Sequence, residues 1–178
     1  AVLDALKARA PEDFLDLSIR ETSERRLARH CWNVAKLSVF LGETLGLSPP
    51  ELESLAMAAL VYDIGMQEIP NEILSKPGAL ADEELARVRR HAEAGAALLA
   101  KVPGLDPLCA RVALEHHERS DGTGYPRQSK EADTHRLSRI VAMADTFEAA
   151  SAPRAHRGAS SPRLTMQALV LQTYRGAF

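Results

Sequence analysis

Between Leu114 and Pro126 the chain reads Leu-Glu-His-His-Glu-Arg-Ser-Asp-Gly-Thr-Gly-Tyr-Pro. Two adjacent imidazoles, His116 and His117, follow an apolar, helix-forming run from Pro107 to Glu115, and a glycine-rich turn comes at once. Adjacent residues on a helix point about 100° apart, so both rings reach one ion only where the helix ends, which the glycines permit. Imidazoles beside a loop that can approach a ligand closely suit a metal centre that handles phosphate. Asp63 and Asp145 are carboxylates inside apolar helical runs, and His30 and His91 lie on or near the inward faces of their helices. A carboxylate in such a place needs a cation or several donors. Taken singly, each histidine reads first as a hydrogen-bonded core residue, and Asp63 also as the cap of the next loop. Taken jointly, imidazoles and carboxylates on successive helices argue for Fe, Mn or Zn held inside a bundle, with a shared carboxylate between two ions.

Helices must carry these groups. Leu27, Val34, Leu37, Phe40, Leu41 and Leu45 recur at helical steps after Thr22, and Gly46 marks the end of that run. Ser48, two prolines and Glu51 form a capping-box start for a helix over Leu52 to Ile64, stopped by Gly65. Residues 67 to 80 form a connector with two prolines and a glycine, and Asn71 begins a short turn within it. A helix over Asp82 to Lys101 buries Leu85, Val88, Ala92, Leu98 and Leu99. Asp106 and Pro107 start the helix that delivers the histidine pair. After a polar loop, Leu137, Ile140, Val141 and Ala144 lead to Asp145, and a last helix runs from Ser161-Pro162 to Tyr174. The fold class is all-α: a single compact bundle of about six or seven helices. Residues 1–20 read as a helical lead-in or linker, and residues 21–178 as the domain.

Composition agrees. Hydrophobic residues make up 46% of the 178, while aromatics are only 4%, which suits packed helices better than sheets. A net charge of -2 gives no basic field for DNA, so a phosphate ligand must be gripped locally. Arg154 and Arg157, three apart, have that capacity, although taken alone they read rather as a solvated basic patch. Cys31 and Cys109 fit no metal spacing and read as buried free thiols. No leader sequence opens the chain and no membrane segment is long enough, which points to a cytoplasmic domain; the initial Ala fits one cut from a longer protein.

The ordered set His30, Asp63-Ile-Gly, Ile69-Pro70, Lys76-Pro77-Gly78, His91, His116-His117-Glu118, Asp121-Gly-Thr-Gly-Tyr-Pro126 and Asp145 resembles the HD-GYP domain. This branch of the HD phosphohydrolase superfamily hydrolyses the bacterial second messenger cyclic di-GMP. The resemblance covers about Thr22 to Tyr174. It implies an HD-domain-like helical bundle around a metal site, usually iron or manganese. It also implies metal ligation by His30, Asp63, His91, His116, His117 and Asp145, with Asp63 bridging two ions as the catalytic carboxylate. Gly124, Tyr125 and Pro126 match the family's substrate loop, and Arg154 and Arg157 match its basic pair.

Three positions depart from the family pattern. Tyr62 stands where the family has the histidine of its His-Asp pair, Met66 replaces a lysine, and Arg26 replaces a glutamate that supports a third metal in some members. A phenol has a pKa near ~10 and must lose its proton to bind a metal well. The expectation is one firm ion and a second, weakened site, with Tyr62 as a substitute ligand in the alternative case. Cyclic di-GMP or a related dinucleotide is the expected ligand. Weak or absent hydrolysis, with a regulatory output through an upstream sensor domain or a signalling partner, is the leading reading. An active phosphodiesterase using Tyr62, or an interaction module acting through the Gly-Tyr-Pro loop, are the alternatives.

Overall fold

In the computed structural model, residues 23–151 and 161–174 are described. The lead-in over residues 1–20 and the pair Arg154 and Arg157 lie outside them, and so does the boundary at residue 21. The helices are α1 (Ser23–Thr44), α2 (Pro49–Val61), α3 (Asn71–Leu74), α4 (Asp82–Arg89), α5 (His91–Leu99), α6 (Pro107–Glu115), α7 (Arg136–Ser151) and α8 (Pro162–Tyr174). Single 3₁₀ turns lie at Ile64–Glu68 and Glu131–Asp133. There is no strand among the described residues, and only an isolated bridge pairs Asp121 with Lys130.

The starts follow the caps read from sequence. Glu51 accepts the Ser48 backbone N–H at 2.8 Å and its hydroxyl at 2.7 Å, with Pro49 at the first helical position of α2. Asp106 accepts the Leu108 N–H at 2.9 Å ahead of α6. The core is built where α1 packs on α2 and α7, and α6 on α2 and α5. Val34, Ala35, Leu55, Ala59, Val112 and Val141 are fully enclosed. The many alanines, Ala56, Ala58, Ala113 and Ala144 among them, have small side chains and let the helix axes approach closely. Cys31 and Cys109 are free and buried within this core.

Four expectations need correction. Phe40 and Leu45 are 65% and 66% exposed. The inward face of α1 instead runs through Cys31, Val34, Ala35, Ser38, Val39 and Gly42, and position 40 lies off that stripe. Leu85 and Leu98 are likewise exposed. The helix expected over Asp82 to Lys101 is two helices, broken at Arg90, whose N–H bonds back three residues to the Arg87 carbonyl. The helix expected to reach Ile64 ends at Val61 and tightens into the 3₁₀ turn. Gly65 there packs directly on α5: a Cβ at this position would come within 2.0 Å of the His91 carbonyl oxygen and 2.6 Å of the Gly95 nitrogen.

Candidate metal centre

The break in α4–α5 and the end of α6 aim two imidazoles at one point. His91 opens α5, and its Nδ1 lies 2.7 Å from the Val88 carbonyl. His116 caps α6, and its Nδ1 lies 2.8 Å from the Ala113 carbonyl. Only a protonated nitrogen bonds a carbonyl, so both Nδ1 atoms carry hydrogen and both neutral rings present a lone pair at Nε2. Those Nε2 atoms face each other at 3.1 Å. Two lone pairs at that distance repel unless a cation lies between or beside them. His117 completes the group: one nitrogen from each of the three rings lies within 4.8 Å of the others.

Asp63 comes from the other side. Its Oδ1 lies 3.4 Å from His91 Nε2, and this buried oxygen has no hydrogen-bond partner. Burial, then the nearby Asp145 charge, pushes its carboxyl up to about 7, against a lowering by His30. The imidazoles shift the opposite way. Burial and the neighbouring His91 push His116 down to about 3, and burial and His116 push His117 well below its ordinary value. Three neutral nitrogen donors and an orphaned carboxylate oxygen fit a first-row divalent cation.

The second group is different. His30 Nε2 lies 2.9 Å from Asp145 Oδ1 and 2.7 Å from the Tyr62 hydroxyl, which itself donates to Asp145 Oδ1 at 2.9 Å. His30 Nδ1 lies 2.5 Å from Glu148 Oε2, and Glu148 Oε1 accepts the Asn33 amide at 3.1 Å. His30, Tyr62, Asp145 Oδ1 and Glu148 are thus bonded to one another without an ion. Burial disfavours a charged His30, but hydrogen bonds to Asp145 and Glu148 outweigh it and raise the imidazole to about 10. The Tyr62 phenol is pushed well above its ordinary value, by burial and then by Asp145 and Asp63. Tyr62 also sets the edge of its ring on His116, with centroids 4.7 Å apart, so it separates the two groups.

The Gly-Tyr-Pro loop closes over the imidazoles. Tyr125 stacks on His117 at 4.6 Å, and the Arg89 guanidinium lies 5.2 Å over the same ring. Gly124 cannot carry a side chain, since a Cβ would come within 2.4 Å of the His117 carbonyl. Pro126 follows through a cis peptide. The buried Glu118 carboxylate ties the loop down by accepting the N–H groups of Arg127 at 2.7 Å and Ser129 at 2.9 Å. Sequence reading missed Asn33, Glu148 and Arg89. Glu148 follows Asp145 by one helical turn, and that spacing was the available signal.

Comparison with known proteins agrees with this architecture. The HD domain family model matches residues 9–176. A cyclic di-GMP phosphodiesterase of Pseudomonas aeruginosa is 35% identical over 155 residues, covering 87% of this chain and 37% of the relative. A 3'3'-cGAMP-specific phosphodiesterase 1 of Vibrio cholerae is 40% identical over 133 residues, 75% of this chain and 31% of the relative. Among solved structures, an HDGYP protein from Bdellovibrio bacteriovorus superposes with a TM-score of 0.71 at 21% identity, over 98% of this chain and 52% of that one. The HD domain of the L. monocytogenes phosphodiesterase PgpH, in complex with cyclic-di-AMP, gives 0.62 at 16% identity, over 99% and 84%. The chain belongs to the HD domain family. It spans about a third of the length of the curated relatives it matches.

Proposed function

We propose that this domain holds one firm metal ion and binds cyclic di-GMP or a related cyclic dinucleotide, with weak or absent hydrolysis and a regulatory output. The observation that carries it is the Tyr62 hydroxyl, hydrogen-bonded to His30 and Asp145, the side chains left to hold a second ion. His91, His116, His117 and Asp63 would hold the first, as iron or manganese. A bound ion supplies Lewis acidity at a phosphoryl oxygen and lowers the pKa of a coordinated water.

The chain's own residues support substrate holding more than turnover. Buried among carboxylates, the Tyr62 phenol keeps its proton, so it serves as a donor to Asp145 rather than as a substitute metal ligand. Met66 offers no cation to a leaving oxygen. Loss of one such stabilising group costs about 10²–10³ in rate. The substrate loop keeps its frame: Gly124 is packed, Tyr125 is stacked, and Glu118 anchors the backbone beyond Pro126. A cyclic dinucleotide messenger implies work in the cytoplasm. The output passes to an upstream sensor domain or a partner protein. No described helix is long and apolar enough to cross a membrane.

The experiment is an assay of the manganese- or iron-loaded protein against cyclic di-GMP, beside the double change Tyr62→His with Met66→Lys. Binding without turnover in the native chain, and turnover in the double variant, is the expected result. Robust turnover by the native chain would reject the degenerate-site reading in favour of a working phosphodiesterase. Neither metal nor nucleotide binding would leave the interaction-module reading.

A further inference from the structure

Arg89 ends α4, two residues before His91, and its side chain is exposed. Its neighbours Arg87 and Arg90 turn away, lining a separate groove with Glu68, Ile69 and Pro70. Arg89 alone turns to the loop, where its guanidinium lies over the Tyr125 ring that in turn stacks on His117. Among the described residues it makes no ion pair with a carboxylate. We infer that Arg89 is a substrate-binding residue, taking a phosphate oxygen of the cyclic dinucleotide at the mouth of the metal centre. The inference rests on the function proposed above.

The placement solves an electrostatic problem. A cation next to a metal centre repels the ion it should assist, yet a substrate phosphate needs positive charge close by. The Tyr125 ring touches both the Arg89 guanidinium and the His117 imidazole. Its π face attracts the guanidinium and holds it off the ion. A guanidinium resting on a ring keeps its in-plane N–H groups outward, and these form the fork that fits a phosphate. Arg119, also in this region, is placed differently: its Nη1 donates to the Glu118 carbonyl at 2.8 Å and bonds the backbone at the end of α6. Met66, three residues after Asp63, brings no positive charge of its own. Arg89 is therefore an exposed positive group held on the tyrosine of the loop.

The test is titration of manganese-loaded protein with cyclic di-GMP, for wild type, Arg89→Ala, Arg89→Gln and Arg89→Lys, with manganese counted on each sample. Both neutral variants should weaken binding about tenfold or more, the loss expected for a charge-assisted hydrogen bond, with manganese unchanged. Arg89→Lys should recover part of the affinity, because an ammonium still pairs with phosphate. Binding should also become less salt-sensitive in the neutral variants. Unchanged affinity in Arg89→Ala and Arg89→Gln overturns the inference alone. A loss that tracks lost manganese also overturns it, since the residue would then only brace Tyr125 against His117. A wild-type chain that binds no cyclic di-GMP would instead sink the reading on which the inference rests.

Discussion

The Tyr62 hydroxyl lies 2.7 Å from His30 Nε2 and 2.9 Å from Asp145 Oδ1, so one phenol joins two side chains that the family pattern assigns to a metal. The consequence is a metal count. The native protein should carry one manganese per chain by elemental analysis. Tyr62→Phe should leave that number at one and cost about 1 kcal/mol, since His30 and Asp145 still bond each other. Tyr62→His should raise it to two. Two ions in the native chain would mean that the hydrogen-bonded cluster opens when metal is supplied.

Gly65 sets the distance between Asp63 and His91. A methyl there meets the His91 carbonyl oxygen at 2.0 Å and backbone does not yield cheaply, so Gly65→Ala must push the 3₁₀ turn away from α5. The expected cost is about 3 kcal/mol or more, from overpacking against backbone. Because Asp63 moves with the turn, metal affinity should fall alongside. Thermal denaturation with and without manganese reads both effects.

The helices were legible because their caps and apolar periodicity are local signals, as at Ser48-Pro49 and Asp106-Pro107. Approximate placement of the site was legible because its residues are chemically conspicuous against an apolar background. The division into a firm and a weakened group came with the resemblance, but the hydrogen bonds that close the second group on Tyr62 and Glu148 were not legible. Whether Tyr62 turns towards His30 or towards His116 depends on how α1, α2 and α7 pack, and spacing along one helix does not carry that. Phe40 was misplaced for a related reason: heptad-like steps include residues one stripe away from the true face. Arg89 is silent in sequence because an arginine in a last helical turn already has an ordinary explanation in the helix dipole.

Glu118 belongs to the conspicuous motif, yet both its carboxylate oxygens turn to the loop, where they accept two N–H groups from a buried position. Glu118→Gln should cost about 2 kcal/mol, since one of those donors then faces an amide N–H₂. Manganese content should hold, because the three imidazoles and Asp63 are untouched. Cyclic di-GMP binding should weaken, and amide exchange at Arg127 and Ser129 should accelerate. Loss of manganese would show that the loop also fixes His117 through Tyr125.

The metal-free protein should be most stable near pH ~6.5, with losses on both sides that come from different histidines. On the acid side, His91, His116 and His117 have folded pKa values below the ordinary 6.5. The unfolded chain therefore takes up protons first, and stability is lost as pH falls below that value. The depressed carboxyls of Asp145 and Glu148 extend the same loss at lower pH. Asp63, raised to about 7, opposes it, since its folded form holds a proton that the unfolded form has released. One such group against three imidazoles leaves the acid loss dominant. On the alkaline side His30 is decisive: with a folded value of about 10, its stabilisation is complete below 6.5 and disappears as pH rises through 10. Denaturant titrations in chelator from pH about 4 to about 10 should trace this dome. Glu148→Gln should flatten the alkaline limb, because it removes one of the two carboxylates that hold the His30 proton, and should also trim the low-pH end of the acid limb, while the loss just below pH ~6.5 that belongs to the three imidazoles stays. Manganese should raise the curve most around neutrality and steepen its acid side, since ligating imidazoles must be unprotonated. An alkaline limb unchanged in Glu148→Gln would show that Asp145 alone supports the charge on His30.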